Sequence, residues 1–172
     1  MSVSSTGSYL ELSASGAEFS PCGSYRYALW RVWQPQRPLL LFIGLNPSTA
    51  DAANDDPTIR RCRDFASRWG FGGLLMANLF GYRATQPADL FASLNPTGPD
   101  NQRWLIALSR RADKVIAAWG NDGQRRMPVS SLSGISKPLY CLRQNLTGAP
   151  AHPLYVAAST RPRLFRWRGV ER

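Results

Sequence analysis

Short apolar runs, each stopping at a polar or glycine-rich loop, set the rhythm of the chain. Leu39–Leu45, Leu74–Phe80, Lys114–Trp119 and Pro138–Leu142 are such runs. A run of this length with turn residues at its ends predicts a buried strand. Between the first two runs the period changes. Ile59, Cys62, Phe65, Ala66 and Trp69 recur at helical spacing, with Arg60, Arg61, Arg63 and Arg68 at other positions. This predicts an amphipathic helix from Pro57 to about Trp69. Asp56 supplies its N-cap and Pro57 its first helical residue. A second helix is predicted from Pro99-Asp100 to about Arg111, with Trp104, Leu105 and Leu108 inward. Shorter helical segments are predicted within 86–95 and 125–132. Tyr25–Trp33 alternates bulky and basic residues, which predicts an antiparallel strand near a sheet edge, one face carrying Arg26 and Arg31.

Strands alternating with helices predict an α/β protein: a three-layer α/β/α sandwich around a mainly parallel four-stranded central sheet, plus an N-terminal edge strand. Residues 1–20 are Ser/Gly-rich and read as a loose arm with one short ordered piece. Residues 21–160 read as a single α/β domain, and 161–172 as a basic tail with five Arg around Phe165 and Trp167. Three predicted loops leave carboxyl strand ends: Asn46–Asp51, Gly81–Thr85 and Gly120–Gly123. Ligands of open α/β sheets bind at such ends, so these loops hold the candidate site.

Composition narrows the classes. The chain has 172 residues and 44% hydrophobic content, enough for one substantial core. No apolar run is long enough to span a membrane, and residues 1–20 lack the pattern of a signal peptide. Three widely spaced Cys argue against a disulfide framework and for a reducing cytoplasm. One His and no CxxC argue against a metal site, and no GxGxxG or Walker pattern points to a cofactor.

Charge adds a partner. Of the net +10, none comes from residues 1–100, where 8 Arg balance 8 acidic residues. Residues 101–172 carry 13 Lys and Arg against 3 acidic residues. Nearly all the cations are Arg, which pairs bidentately with phosphate and stacks on bases. A basic half with interleaved aromatics points to nucleic acid, with DNA favoured. Arg60, Arg61, Arg161, Arg163 and Arg166 are the candidate backbone contacts. The other reading of this charge is an Arg-rich composition in which Arg stands wherever Lys would serve.

The strand-end loops carry the chemistry. Asp51 or Asp56 could supply a carboxylate, though Asp56 also fits a helix cap and Asp51 a turn. Asn78 could hydrogen-bond a base edge or be a satisfied buried amide. Phe80, Tyr82 and Trp119 could stack on a base or belong to the core. Arg83 could meet a phosphate or a surface carboxylate. Ser48 and Thr49 could donate to phosphate, but no nucleophile elbow surrounds Ser48. His152, the sole His, could donate to a developing negative charge.

The segments GLNPSTADAANDDPTIRRC, WGFGGLLMANLFGYRAT, AAWGNDG and GAPAHPLYV together resemble the family called domain of unknown function 1643, over residues 18–158. That family brings no activity with it. The order of motifs is also similar to the uracil-DNA glycosylase superfamily, particularly its mismatch-specific branch. The matching pieces are Gly44-Leu45-Asn46-Pro47, Asn78-Leu79-Phe80, Val115–Gly120 and His152-Pro153-Leu154-Tyr155. Leu154 departs from the small residue usual after His-Pro. The second resemblance implies a sheet of that superfamily's type and a base flipped into a pocket. It makes Asn46 the residue that positions a water, with Asp51 and His152 as its catalytic companions. Gly44, Pro47, Gly120, Asn121, Pro153 and Tyr155 would join Ser48, Thr49, Asn78 and the aromatic residues around the base. The expected function is recognition of a base in nucleic acid by a monomer, with hydrolysis of an N-glycosidic bond as its catalytic form. The alternatives are a non-catalytic nucleic-acid-binding module and a hydrolase that binds a nucleotide or other small molecule.

Overall fold

A computed structural model describes residues 14–127 and 129–166. Residues 1–13 of the expected arm and 167–172 of the expected tail lie outside the described residues. The strands are β1 (Ser15–Phe19), β2 (Arg26–Val32), β3 (Leu39–Gly44), β4 (Gly73–Asn78), β5 (Lys114–Ala117), β6 (Leu139–Cys141) and β7 (Arg163–Leu164). The helices are α1 (Pro57–Arg68), α2 (Pro87–Ala92), α3 (Asn101–Arg111) and α4 (Gly120–Arg126). Single 3-10 turns form at Val129–Leu132 and Pro153–Tyr155. No described helix is long and apolar enough to cross a membrane.

All seven strands join one sheet in the order β1-β2-β4-β3-β5-β6-β7. This corrects the expected four-stranded, mainly parallel sheet. Three of the six pairings are parallel (β4/β3, β3/β5, β5/β6) and three antiparallel (β1/β2, β2/β4, β6/β7), so the sheet is mixed. The correction has a physical cause. Long apolar runs announce strands buried on both faces, and β3, β4 and β5 have them. β1 and β7 are five and two residues long and draw their order from backbone pairing with a neighbour.

The edge strand also moves. β2 is interior, with β1 on one side and β4 on the other, and Arg26 and Arg31 are buried instead of solvated because the loop between β3 and α1 folds over them. The segment after Arg161 is not a free arm throughout: β7 pairs with β6, and Phe165 is buried in the core.

β3 runs through the middle, and its side chains alternate between two cores. Leu39, Leu41 and Ile43 meet Trp104, Leu105 and Leu108 of α3. Leu40 and Phe42 meet Ile59, Cys62 and Phe65 of α1 on the other side. Each such side chain, fully buried, contributes about 1.5–3 kcal/mol. α1 starts where its sequence signals place it, with Asp56 Oδ1 accepting from Ile59 N at 2.9 Å and Pro57 at the first position. Arg68 pairs with Asp64 one turn earlier at 2.8 Å. Residues 120–123, expected as a loop, instead form the first turn of α4. Gly120, at φ 71°, makes the reversal from β5 into that helix.

Candidate functional site

The carboxyl ends of β3, β4 and β5 open on a cavity of about 470 Å³. Gly44, Asn78 and Trp119 line its strand side. Asp56, Thr58 and Ile59 bring the amino end of α1 to it, and Asn121 and Asp122 the start of α4. His152, Tyr155 and Asn145 come from the loops that follow β6. A volume of this size is ordinary for small-ligand sites, and the position is the usual one in α/β sheets.

Arg26 and Arg31 of β2 hold the loop between β3 and α1 from beneath. Arg26 Nη1 donates to Ala50 O at 2.7 Å. Arg31 Nη2 donates to Asp51 O at 2.7 Å, and its Nε to Asp55 Oδ1 at 2.9 Å. Asp55 is shared with Arg63 at 2.6 Å. Within this loop Asn46 Nδ2 donates to Ala84 O at 2.8 Å and to Pro47 O at 2.9 Å. The amide of Asn46 thus ties two strand-end loops together, and the residue also lines the cavity. Asp51 is used locally. Its Oδ1 accepts from Ala53 N at 2.8 Å and Asn54 N at 2.7 Å. Those bonds, led by the Asn54 side chain, hold its carboxyl down at about 2. Asp51 does not line the cavity, whereas Asp56 does while also capping α1.

Asn78 ends β4 opposite Gly44 in the parallel register. Its side chain is 2% exposed and lines the cavity, and its Oδ1 has no hydrogen-bond partner. A Cβ on Gly44 would lie 2.7 Å from that oxygen. The missing side chain is therefore what leaves room for the carboxamide. Asn101 of α3 fixes the backbone there, its Nδ2 donating to Asn78 O at 3.0 Å and Leu79 O at 3.1 Å. A buried acceptor without a donor is rare in folded proteins and calls for an explanation.

His152 caps the 3-10 turn that follows it, with Nδ1 accepting from Leu154 N at 3.3 Å. That bond places the proton of the neutral ring on Nε2. Burial lowers the His152 pKa below its ordinary value, against an opposing pull from the Asp56 charge. The ring lies 5.5 Å from that of Tyr155, which is exposed on the rim. Trp119 is 1% exposed, meets Phe165 edge-on at 5.7 Å, and is crowded by Gly123, whose added Cβ would lie 2.5 Å from the indole. Asn121 Oδ1 accepts from Asn145 Nδ2 at 2.9 Å and Thr147 Oγ1 at 2.7 Å, pinning the 144–150 loop beside α4.

A wider groove of about 790 Å³ adjoins this cavity and shares Ser48, Ala84 and Thr85 with it. Thr49, Tyr82 and Arg83 line the groove only. Arg83 Nη1 donates to Gly23 O at 3.1 Å, and its guanidinium lies over the Phe19 ring. Phe80 lines neither space: it is 3% exposed and packs edge-on against Phe91. Pro47 and Pro153 are buried and shape their turns from behind.

None of the expected backbone arginines lines the cavity. Arg60 donates to Asp55 O at 2.6 Å, and Arg61 to Val156 O at 2.5 Å. Arg161, Arg163 and Arg166 are exposed around β7.

The residue that sequence reasoning missed is Arg26. It is 2% exposed, lines the cavity, and has an Nε with no partner. A basic residue in an alternating strand reads as a solvated face, and the loop between β3 and α1, folded over that face, reverses the reading. No group of three His, Cys, Asp or Glu among the described residues is arranged to hold a metal ion.

A family model described as protein of unknown function (DUF1643) matches residues 26–154. The match spans most of the chain, from Arg26 of β2 to the turn after His152, so the chain belongs to that family. No curated protein and no solved structure matches it.

Proposed function

We propose that this member of the family binds a nucleobase in the cavity at the ends of β3, β4 and β5. The observation that carries the reading is the convergence of Asn46, Asn78, Trp119 and His152, from four separate strand ends and loops, on one cavity of about 470 Å³. Amide and imidazole groups can both donate to and accept from the edge of a base. The flat indole of Trp119 borders the same space, as do Asn46 and His152.

The same residues suit hydrolysis of an N-glycosidic bond, with the base held in nucleic acid. Asp56 or Asn46 Oδ1 would orient a water toward the sugar carbon. Neutral His152, with its proton on Nε2, would donate to charge developing on the departing base. Asp56 takes the place expected of Asp51, because the Asp51 carboxylate is consumed by its own turn.

Charge favours a second reading, a free nucleoside or similar small molecule. Arg26 shares the lining with Asp56 and Asp122, so the cavity itself is not basic. One experiment separates the two. Duplexes and single strands holding uracil, hypoxanthine or hypermodified bases are incubated with excess protein and then heated in alkali. Binding of the free nucleosides is measured in parallel by calorimetry. Strand cleavage that Asn46→Ala and Asp56→Asn abolish supports the hydrolase. Nucleoside binding without cleavage supports the small-ligand reading. Absence of both defeats the proposal.

A further inference from the structure

The groove of about 790 Å³ beside the cavity is built by the same bonds that shape the cavity. Ser48, Ala84 and Thr85 line both spaces. The loops that wall the groove are tied together through their backbones. Arg83 N donates at 3.0 Å to Ser24 O, in the turn between β1 and β2, and Ala84 N donates at 3.0 Å to Pro47 O, in the loop after β3. Asn46 Nδ2 adds its bond to Ala84 O. α2 contributes Asp89 and Ala92 to the lining. A ring held in the cavity therefore has this groove as its neighbour.

The lining is polar and neutral in sum. Ser24, Ser48, Thr49, Thr85 and Ser93 are its five Ser and Thr residues, and Arg83 and Asp89 its two charged ones. No ion pair joins Arg83 to Asp89 among the described residues. Arg83 is held in place by Gly23 O, which accepts from Nη1 at 3.1 Å, and by the Phe19 ring, whose centroid lies 5.1 Å from the guanidinium carbon. Hydroxyls donate and accept, a carboxylate accepts, and a guanidinium donates. That set matches a group that donates and accepts at several points without net charge, which is the chemistry of sugar hydroxyls. A nucleic-acid backbone brings a negative charge at every nucleotide, and here it would meet one cation offset by one carboxylate.

We propose that the groove is a sugar subsite, which binds the hydroxyls of a sugar attached to the ring that the cavity holds. It rests on the base-binding reading and takes that reading toward small glycosides of a base and away from a strand. Arg83 and Asp89 supply charge-assisted bonds to the sugar, and the Ser and Thr hydroxyls supply the rest. The sugar has two sources, the ribose of a nucleoside and a glycosyl group appended to the base.

The test is calorimetry on the full chain. Uracil and hypoxanthine are compared with uridine and inosine and with the 2′,3′-dideoxy forms of both nucleosides. A second arm compares 5-hydroxymethyluracil with its O-glucoside, and a third uses the dinucleotide of uridine. A gain of about tenfold is expected in one of the first two arms, the scale of one or two net hydrogen bonds. If ribose is the sugar, the nucleosides gain over their free bases and dideoxy forms. If an appended glycosyl group is the sugar, the glucoside gains over 5-hydroxymethyluracil. Thr49 and Ser93 line the groove and not the cavity. The double variant Thr49→Val with Ser93→Ala should erase most of the gain and leave the affinity for free bases unchanged. Melting temperatures are recorded with it, and Asp89→Asn serves as an independent variant with the same expected loss.

Sugar-bearing ligands that bind no tighter than their bare rings overturn the proposal. So does a gain that both variants leave intact. A dinucleotide that binds tighter than uridine, with an affinity falling steeply as salt rises, gives the groove to a phosphate backbone and overturns it too. In these three outcomes the rings still bind and the base-binding reading stands. If no ligand of the panel binds, that reading falls and this one with it.

Discussion

The two ends of β2 carry the same side chain in opposite conditions. At one end Arg31 is saturated: it donates to Gly16 O, Trp30 O, Asp51 O and Asn54 O and is paired with Asp55. At the other end Arg26, which lines the cavity, makes one hydrogen bond among the described residues, to Ala50 O, and its buried Nε has no partner among them. Both are buried, on one strand, five residues apart. The difference is what surrounds them. Arg31 lies under the folded loop 51–55, whose Asp51 and Asn54 carbonyls it binds. Arg26 lies where that loop parts from β4 and leaves a space. A buried cation with several acceptors is fixed by the fold, and one with a single acceptor is held by fewer bonds.

The contrast breaks most severely at the saturated end. Arg31→Ala leaves Asp55 with Arg63 alone and removes a buried donor from four carbonyls, and should cost about 3–5 kcal/mol. Chemical denaturation would show it as a fall in the midpoint. A loss below 1 kcal/mol would place Arg31 among the weak surface pairs.

Gly44→Ala acts at the other end. Its Cβ would press on Asn78 Oδ1 at 2.7 Å and Met76 Cε at 2.9 Å. Displacing them should cost about 1–3 kcal/mol and remove ligand-induced stabilisation in the same melt. Normal stability with unchanged ligand response would show that the carboxamide is free to move.

The smallest effect is in pH. The His152 pKa is lowered in the fold, so the folded state binds its proton less readily than the unfolded chain does. Stability therefore falls as pH drops through about 6.5 and is fully present above it. His152→Gln should flatten that part of the stability curve. A curve that keeps its slope in the variant would assign the pH dependence elsewhere.

Where the sequence signals are local, they locate structure well. Asp56-Pro57 and the helical period of Ile59, Cys62, Phe65 and Ala66 place α1 to within a residue of its observed end. Unbroken apolar runs locate β3, β4 and β5 for the same reason. What escapes depends on neighbours distant in sequence. β1 and β7 have little apolar pattern, so the breadth and mixed sense of the sheet are not written in any one stretch. The burial of Arg26 follows from the loop between β3 and α1 folding over its face of β2, where it meets Ala50 O.

The candidate site shows the same division. Gly44, Asn46, Asn78, Trp119 and His152 follow from loops at strand ends, and all line the cavity. Asp51 and Asp56 are two carboxylates five residues apart in one loop. The backbone N–H groups of Ala53 and Asn54 decide which of them is occupied, and nothing in composition distinguishes them.

The last strand has a consequence for truncation. Trp119, which walls the cavity, rests edge-on against Phe165, and β7 just before it completes the sheet beside β6. Every residue lining the cavity lies at or before Tyr155. A chain cut after Tyr155 would therefore keep all the lining side chains while the indole lost its support. Having the binding residues and being able to use them would part company at that cut.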